Sequence, residues 1–174
     1  TTGVGNLIDP VGAALRLPWK HPDGTLASDS EIRAQWLALK NHPGLAVKPG
    51  GPLVPLSKLH WKYAAKVTTL RLTDADIDAL VVAKLLENER ALRKAYPNWD
   101  DFPADAQLAC LSMAWAVGAG FPAIFKNFSA FAVKQDWVSA KACSTIRTAG
   151  NPGVVPRNRN NELCFDNAAT VMDG

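Results

Sequence analysis

The sequence is poor in the features that would place it in several large classes at once. Its apolar runs are broken by charge or glycine well short of the roughly 20 residues needed to cross a bilayer, so no membrane span is expected. The first residues lack the basic, apolar and small-residue pattern of a secretory leader. Only three cysteines occur, Cys110, Cys143 and Cys164, an odd number without CxxC spacing, which argues against a zinc site and against a disulfide framework. Buried free thiols are the expectation. The three histidines, His21, His42 and His60, are scattered without ligand spacing, so neither a metal nor a cofactor is expected. No internal repeat or low-complexity segment stands out.

What is present is enough for a packed domain. The 174 residues are 48% hydrophobic, and the net charge of +3 permits attraction to an anionic polymer without requiring it. Basic residues read as scattered, and Arg157 with Arg159 forms the one local pair. Without a recognition module this gives no case for nucleic acid; a surface facing an acidic cell-wall polymer would look much the same.

Local patterns divide the chain. Thr1-Thr2-Gly3-Val4-Gly5-Asn6 is a glycine-punctuated strand, with glycines where a ligand or a second backbone comes close. Taken alone, these residues are more simply read as an ordinary tight hairpin. The first 27 or so residues are expected to be extended and turning, with Asp23-Gly24 joining Leu15-Arg16-Leu17 to Thr25-Leu26. Ser28 and Glu31 form a capping-box pattern for a helix carrying Ile32, Trp36 and Leu39, which should stop before His42-Pro43. The Pro- and Gly-rich stretch 43–57 reads as an irregular connection, long enough to be a functional loop or an insertion.

Val67–Leu72 reads as a short strand or extended lead-in, followed by a helix opened by Thr73 and Asp76 and ending near Tyr96-Pro97. Pro103 opens a nearly uncharged core helix through Leu108, Leu111, Ala114 and Trp115, ending at Gly118 or Gly120. Pro122 opens a helix in the phenylalanine row 121, 125, 128 and 131. Asp136 caps one with Trp137, Ala140 and Ile146, and Pro156 begins the last. The expected fold class is α+β, mostly helical: a small N-terminal β-hairpin region followed by a helical bundle. It is read as a single domain, 1–174, with a β-rich or irregular lobe over 1–71 that holds an inserted helix and a helical lobe over 72–174.

This order of parts resembles the phage-type lysozyme family, within the lysozyme-like glycoside hydrolases. Thr1-Thr2-Gly3-Val4-Gly5-Asn6 is similar to that family's Thr-Ile-Gly-x-Gly-His strand, with Asn6 where His is usual. The second anchor runs from Leu72-Thr73-Asp74-Ala75-Asp76 through Met113-Ala114-Trp115-Ala116-Val117-Gly118 to Asp136-Trp137. Gly150 to Arg159 is similar to the Pro-x-x-Arg stretch that opens the family's closing helix. Together these cover about two thirds of the chain, and residues 10 to about 70 are longer than the family's hairpin and linker.

The resemblance implies an N-acetylmuramidase that cleaves the β-1,4 bond between N-acetylmuramic acid and N-acetylglucosamine in peptidoglycan, acting in the bacterial periplasm or the extracellular wall. Such chemistry needs a carboxylic acid of raised pKa to protonate the leaving oxygen and a second group on the other sugar face. Thr1 matches the family's catalytic threonine, which positions water or contacts sugar. Gly3, Gly5, Asn6 and Trp115 are the expected substrate-binding residues. The family's Glu and Asp have no counterpart, since they would precede Thr1, so the proton donor is expected upstream of it. Three arrangements stay open: a longer protein, a separate segment that completes the hairpin, or a chain without activity.

Acids within the chain have plainer readings. Asp9 before Pro10 is a turn residue, Glu87 and Glu89 are surface pairing partners, and Glu162 complements a helix dipole. Trp115 is as well explained by core packing as by sugar stacking. Trp19, Trp36 and Trp61 are sugar platforms or local hydrophobic anchors. The implied partners are peptidoglycan glycan strands, with an inhibitor or immunity protein or the upstream segment as further candidates. The alternative function is a non-catalytic lysozyme-like wall-binding or structural module. A third idea, Thr1 as an N-terminal nucleophile, belongs to sheet-rich sandwich folds and fits a helical chain poorly.

Overall fold

The computed structural model describes residues 8–149 and 153–173. These residues are mostly helical, with nine α-helices and one two-stranded antiparallel sheet among them. The chain divides into two compact units, Thr1–Val81 and Val82–Gly174, and the division falls inside one long helix.

In the first unit, α1 (Val11–Leu15) packs against α2 (Asp29–Lys40). Helix α2 is bounded as its sequence dictates. Ser28 accepts from the Glu31 N–H while the Glu31 carboxylate accepts from the Ser28 N–H, and the helix stops at Asn41, ahead of Pro43. Helix α1 corrects the extended reading of the first 27 residues. Pro10, at φ −73°, stands at its N-cap, and Trp19 Nε1–H donates to the Ala14 carbonyl at 2.9 Å, tying down the end of that single turn.

The Asp23-Gly24 turn does form, with Gly24 at φ +87°, but it pairs Lys20 with Leu26 and leaves Leu15–Leu17 out. Lys20 also bridges Arg71, the one ladder contact that the predicted strand Val67–Leu72 makes. Of the two readings of Val67–Leu72, a short strand or an extended lead-in, the segment is the lead-in, held by side-chain chemistry. Gln35 Oε1 accepts the Thr69 and Leu70 N–H groups at 2.9 and 3.1 Å, taking the place of a neighbouring backbone.

The stretch 43–57 is not wholly irregular. It holds β1 (Leu45–Ala46) and β2 (Leu53–Val54), in the register Leu45 with Val54 and Ala46 with Leu53. Gly44 closes against this hairpin at φ +110°, where a Cβ would lie 2.7 Å from the Val54 carbonyl oxygen. A short 3-10 turn, Leu56–Lys58, and α3 (Trp61–Ala64) follow. The core of the unit is small: Ala14, Ile32 and Leu70, with Trp19 and Trp36 packed on it.

Helix α4 (Asp74–Ala95) starts at the predicted Thr73 and Asp76 capping pair and ends at Tyr96-Pro97. In the second unit, α5 (Ala104–Val117) buries Ala106, Ala109, Cys110, Met113 and Ala114, so the predicted core helix is the centre of the packing. Its small residues let α9 (Val154–Asp173) lie close along it. Leu108, expected on the apolar side, is 57% exposed. Gly118, at φ +96°, caps α5.

Helices α6 (Phe121–Ile124) and α7 (Lys126–Ala132) carry the phenylalanine row. Phe121 and Phe128 are fully buried, with Phe125 and Phe131 packed against the same core. Helix α8 (Trp137–Ala142) is capped by Asp136, whose carboxylate accepts from the Ser139 N–H at 3.0 Å. Its Trp137 stacks on Phe165 of α9 at 6.0 Å and meets the edge of Phe102 at 4.8 Å. Ile146 lies beyond α8 instead of on it, and Pro156 falls in the first turn of α9 instead of opening it.

Candidate functional site

Four of the five predicted site residues, Thr1, Gly3, Gly5 and Asn6, lie outside the described residues. The fifth, Trp115, is half-buried in the last turn of α5. One turn earlier on the same side stands Ser112, and Arg157 of α9 reaches it. The Arg157 Nη1–H group donates to the Ser112 carbonyl and to Ser112 Oγ, both at 3.0 Å. This pair of hydrogen bonds fixes the guanidinium against α5 one turn before Trp115. The candidate site within the second unit is therefore the C-terminal end of α5: an aromatic ring on one turn, a half-buried guanidinium bonded to the turn before it, and a glycine cap after it. Such a surface can stack on a sugar face and donate hydrogen bonds to its hydroxyls.

A glycosidase also needs a proton donor, and the carboxylates with strongly perturbed surroundings are perturbed the wrong way. Donation from Lys20, and then from Thr73, holds Asp76 down to about 2. Ser28 lowers Glu31, Thr25 lowers Asp23 and Ser139 lowers Asp136, each by hydrogen bonds to the charged form. The acids read as structural have structural partners. Asp9 pairs with Lys40 at 2.8 Å, Glu87 with Lys84 at 3.0 Å and Glu89 with Arg93 at 2.9 Å. Glu162 is half-buried on α9.

Trp19 and Trp36 resolve as anchors. Trp36 Nε1–H donates to the Ile8 carbonyl at 2.7 Å, Trp19 Nε1–H is spent on Ala14, and both rings line an apolar cavity of about 30 Å³ with Ile32 and Leu70. Trp61 opens α3. In the second unit a wide, open depression of about 310 Å³ lies over Phe125, Lys126, Asn127 and Cys143.

All three cysteines are free thiols. Cys110 is fully buried, and burial pushes its pKa far up; burial and then the neighbouring Asp105 raise Cys164. Among the described residues no group of three or more His, Cys, Asp or Glu side chains is arranged to hold a metal ion, and no helix is long and apolar enough to cross a membrane.

Sequence reasoning missed Asn158. It is buried on α9, and its side chain pairs with both backbone groups of Ile146: Nδ2–H donates to the Ile146 carbonyl at 2.8 Å and Oδ1 accepts the Ile146 N–H at 3.1 Å. An Asn on the inner side of a helix, facing a segment without secondary structure, is the signal that points to it. Compared with known proteins, the chain matches no family model, no curated protein and no solved structure.

Proposed function

We propose that the chain is a peptidoglycan hydrolase of the N-acetylmuramidase type, acting on glycan strands in the periplasm or the extracellular wall. The observation that carries this reading is a set of motifs in one order along the sequence: Thr1 to Asn6, the Thr73 helix start, the α5 segment ending Trp115 to Gly118, and Pro156 to Arg159 in the first turns of the last helix. The position of Trp115 supports it, since a partly buried ring in the last turn of α5 keeps some surface for contact with a sugar. In this reading Thr1 positions the attacking water, and Gly3, Gly5 and Asn6 contact the substrate.

A second reading, a non-catalytic wall-binding module, is favoured by the carboxylates: Asp23, Glu31, Asp76 and Asp136 are all held in the charged form, opposite to the need of a general acid. Co-sedimentation of the natural polypeptide with purified sacculi, followed by assay of the supernatant for soluble glycan fragments, separates the two. Fragments in the supernatant support hydrolysis. Binding without fragments supports the module, and absence of both removes wall recognition altogether.

A further inference from the structure

The cations that look scattered along the whole chain are not balanced locally. Between Glu31 and Asp74 there are seven Lys or Arg residues and no Asp or Glu. The structure gathers part of this stretch around α3. Lys62 and Lys66 hold their ammonium groups 5.3 and 5.9 Å from the centroid of the same Tyr63 ring. Arg71 spends its donors on neutral oxygens, Leu70 O at 2.7 Å, Ala65 O at 3.0 Å and Thr68 Oγ1 at 3.2 Å, so its charge too is uncompensated by a carboxylate. Lys58 is exposed at the end of the preceding 3-10 turn. Among the described residues none of these four cations forms an ion pair.

Immediately before them in the chain, the β1–β2 hairpin exposes two apolar side chains. Val47 is 50% and Leu53 58% exposed, on either side of a turn that also presents Lys48 and is closed by Gly51 N–H donating to the Lys48 carbonyl at 3.0 Å. We propose that this segment, 47–71, is a docking surface for the anionic phospholipid headgroups of a membrane: Lys48, Lys58, Lys62, Lys66 and Arg71 meet phosphates while Val47 and Leu53 enter the interface. Uncompensated cations and exposed apolar side chains carried on one short stretch of chain are the combination that interfacial binding requires. Base stacking by single-stranded nucleic acid draws on aromatic faces, and the Tyr63 ring is engaged by two ammonium groups. The inference does not depend on glycan cleavage.

The test is co-sedimentation with vesicles of phosphatidylglycerol and phosphatidylcholine, against vesicles of phosphatidylcholine alone, at about 0.1 M and about 0.5 M salt. The wild-type protein binds the anionic vesicles in the lower salt and loses most of that binding in the higher. A Lys58→Ser, Lys62→Ser, Lys66→Ser variant with an unchanged circular dichroism spectrum binds about a hundredfold more weakly, about fivefold per cation. A Val47→Ser, Leu53→Ser variant loses the binding that survives high salt. Equal binding to neutral vesicles, unchanged binding by the triple-serine variant, or binding to a single-stranded oligonucleotide with none to the anionic vesicles overturns the proposal.

Discussion

Lys20 and Asp76 meet at 2.7 Å, which fastens the Asp23-Gly24 turn segment to the first turn of α4. The same Asp76 oxygen accepts from the Thr73 N–H at 2.9 Å and the Thr73 hydroxyl at 2.6 Å. One carboxylate thus serves as an ion-pair partner and as half of a capping box.

That concentration of donors sets a pH dependence. Hydrogen bonds from Lys20 and then Thr73 hold Asp76 down to about 2 in the folded chain, below the usual aspartate value of about 4, so its contribution to stability is fully present above about 4 and is lost as the pH falls toward 2. Urea midpoints measured between pH 5 and pH 2 should fall for the wild-type protein, and the fall should be shallower for Asp76→Asn. Lys20→Met should raise the Asp76 pKa, seen in the titration of its carboxyl carbon by NMR. An unchanged Asp76 titration in that variant would show that Lys20 does not hold it.

Asn158 replaces a strand partner for Ile146, and its loss should be felt as two buried backbone groups left unpaired. Asn158→Ala is expected to cost about 2–4 kcal/mol in chemical denaturation. Asn158→Asp, which keeps an acceptor for the Ile146 N–H but loses the donor to its carbonyl, should not restore the wild-type midpoint.

Asn88 is the opposite case. It is fully buried on α4, one turn before the core residue Leu92, and neither of its side-chain polar atoms has a protein partner among the described residues. Replacing an unsatisfied buried amide with an apolar side chain of similar volume removes a desolvation cost, so Asn88→Leu should raise stability by about 1 kcal/mol or more. A lowered midpoint would show that the amide is bonded in solution.

Thiol reactivity should follow burial. In a native-state labelling time course at about pH 8, Cys110 should stay unmodified until denaturant is added, and Cys164 should react more slowly than an unhindered thiol because burial and Asp105 both disfavour its thiolate. Mass spectrometry of the labelled peptides assigns the sites. Rapid native labelling of Cys110 would contradict its place in the core.

Much of the helical half was legible because its signals are local. Glu31 three residues after Ser28, Asp76 three after Thr73, Asp136 before Trp137 and Gly118 after Val117 each mark an end by chemistry within one turn. The errors in the first unit arise where tertiary contacts override local pattern. Gln35 occupies the N–H groups of Thr69 and Leu70 and so decides between the strand and the extended lead-in, and Trp19 fixes α1 where glycine and alanine gave no clear period. The β1–β2 hairpin was hidden among prolines, and Gly44, which its geometry requires, looked like one more loop residue. Of the candidate site, Trp115 was named from a motif, while its setting beside Ser112 and Arg157 depends on the packing of α9 against α5, which no spacing in the sequence encodes.

The claim that most of the functional account rests on is cleavage at one defined sugar bond. Purified peptidoglycan digested with the natural polypeptide, reduced with borohydride and analysed by mass spectrometry should yield fragments whose new reducing end is N-acetylmuramic acid, in amounts lowered about two- to tenfold by Trp115→Ala. Fragments ending in reduced N-acetylglucosamine, or no new reducing ends from a folded and wall-bound protein, would contradict it.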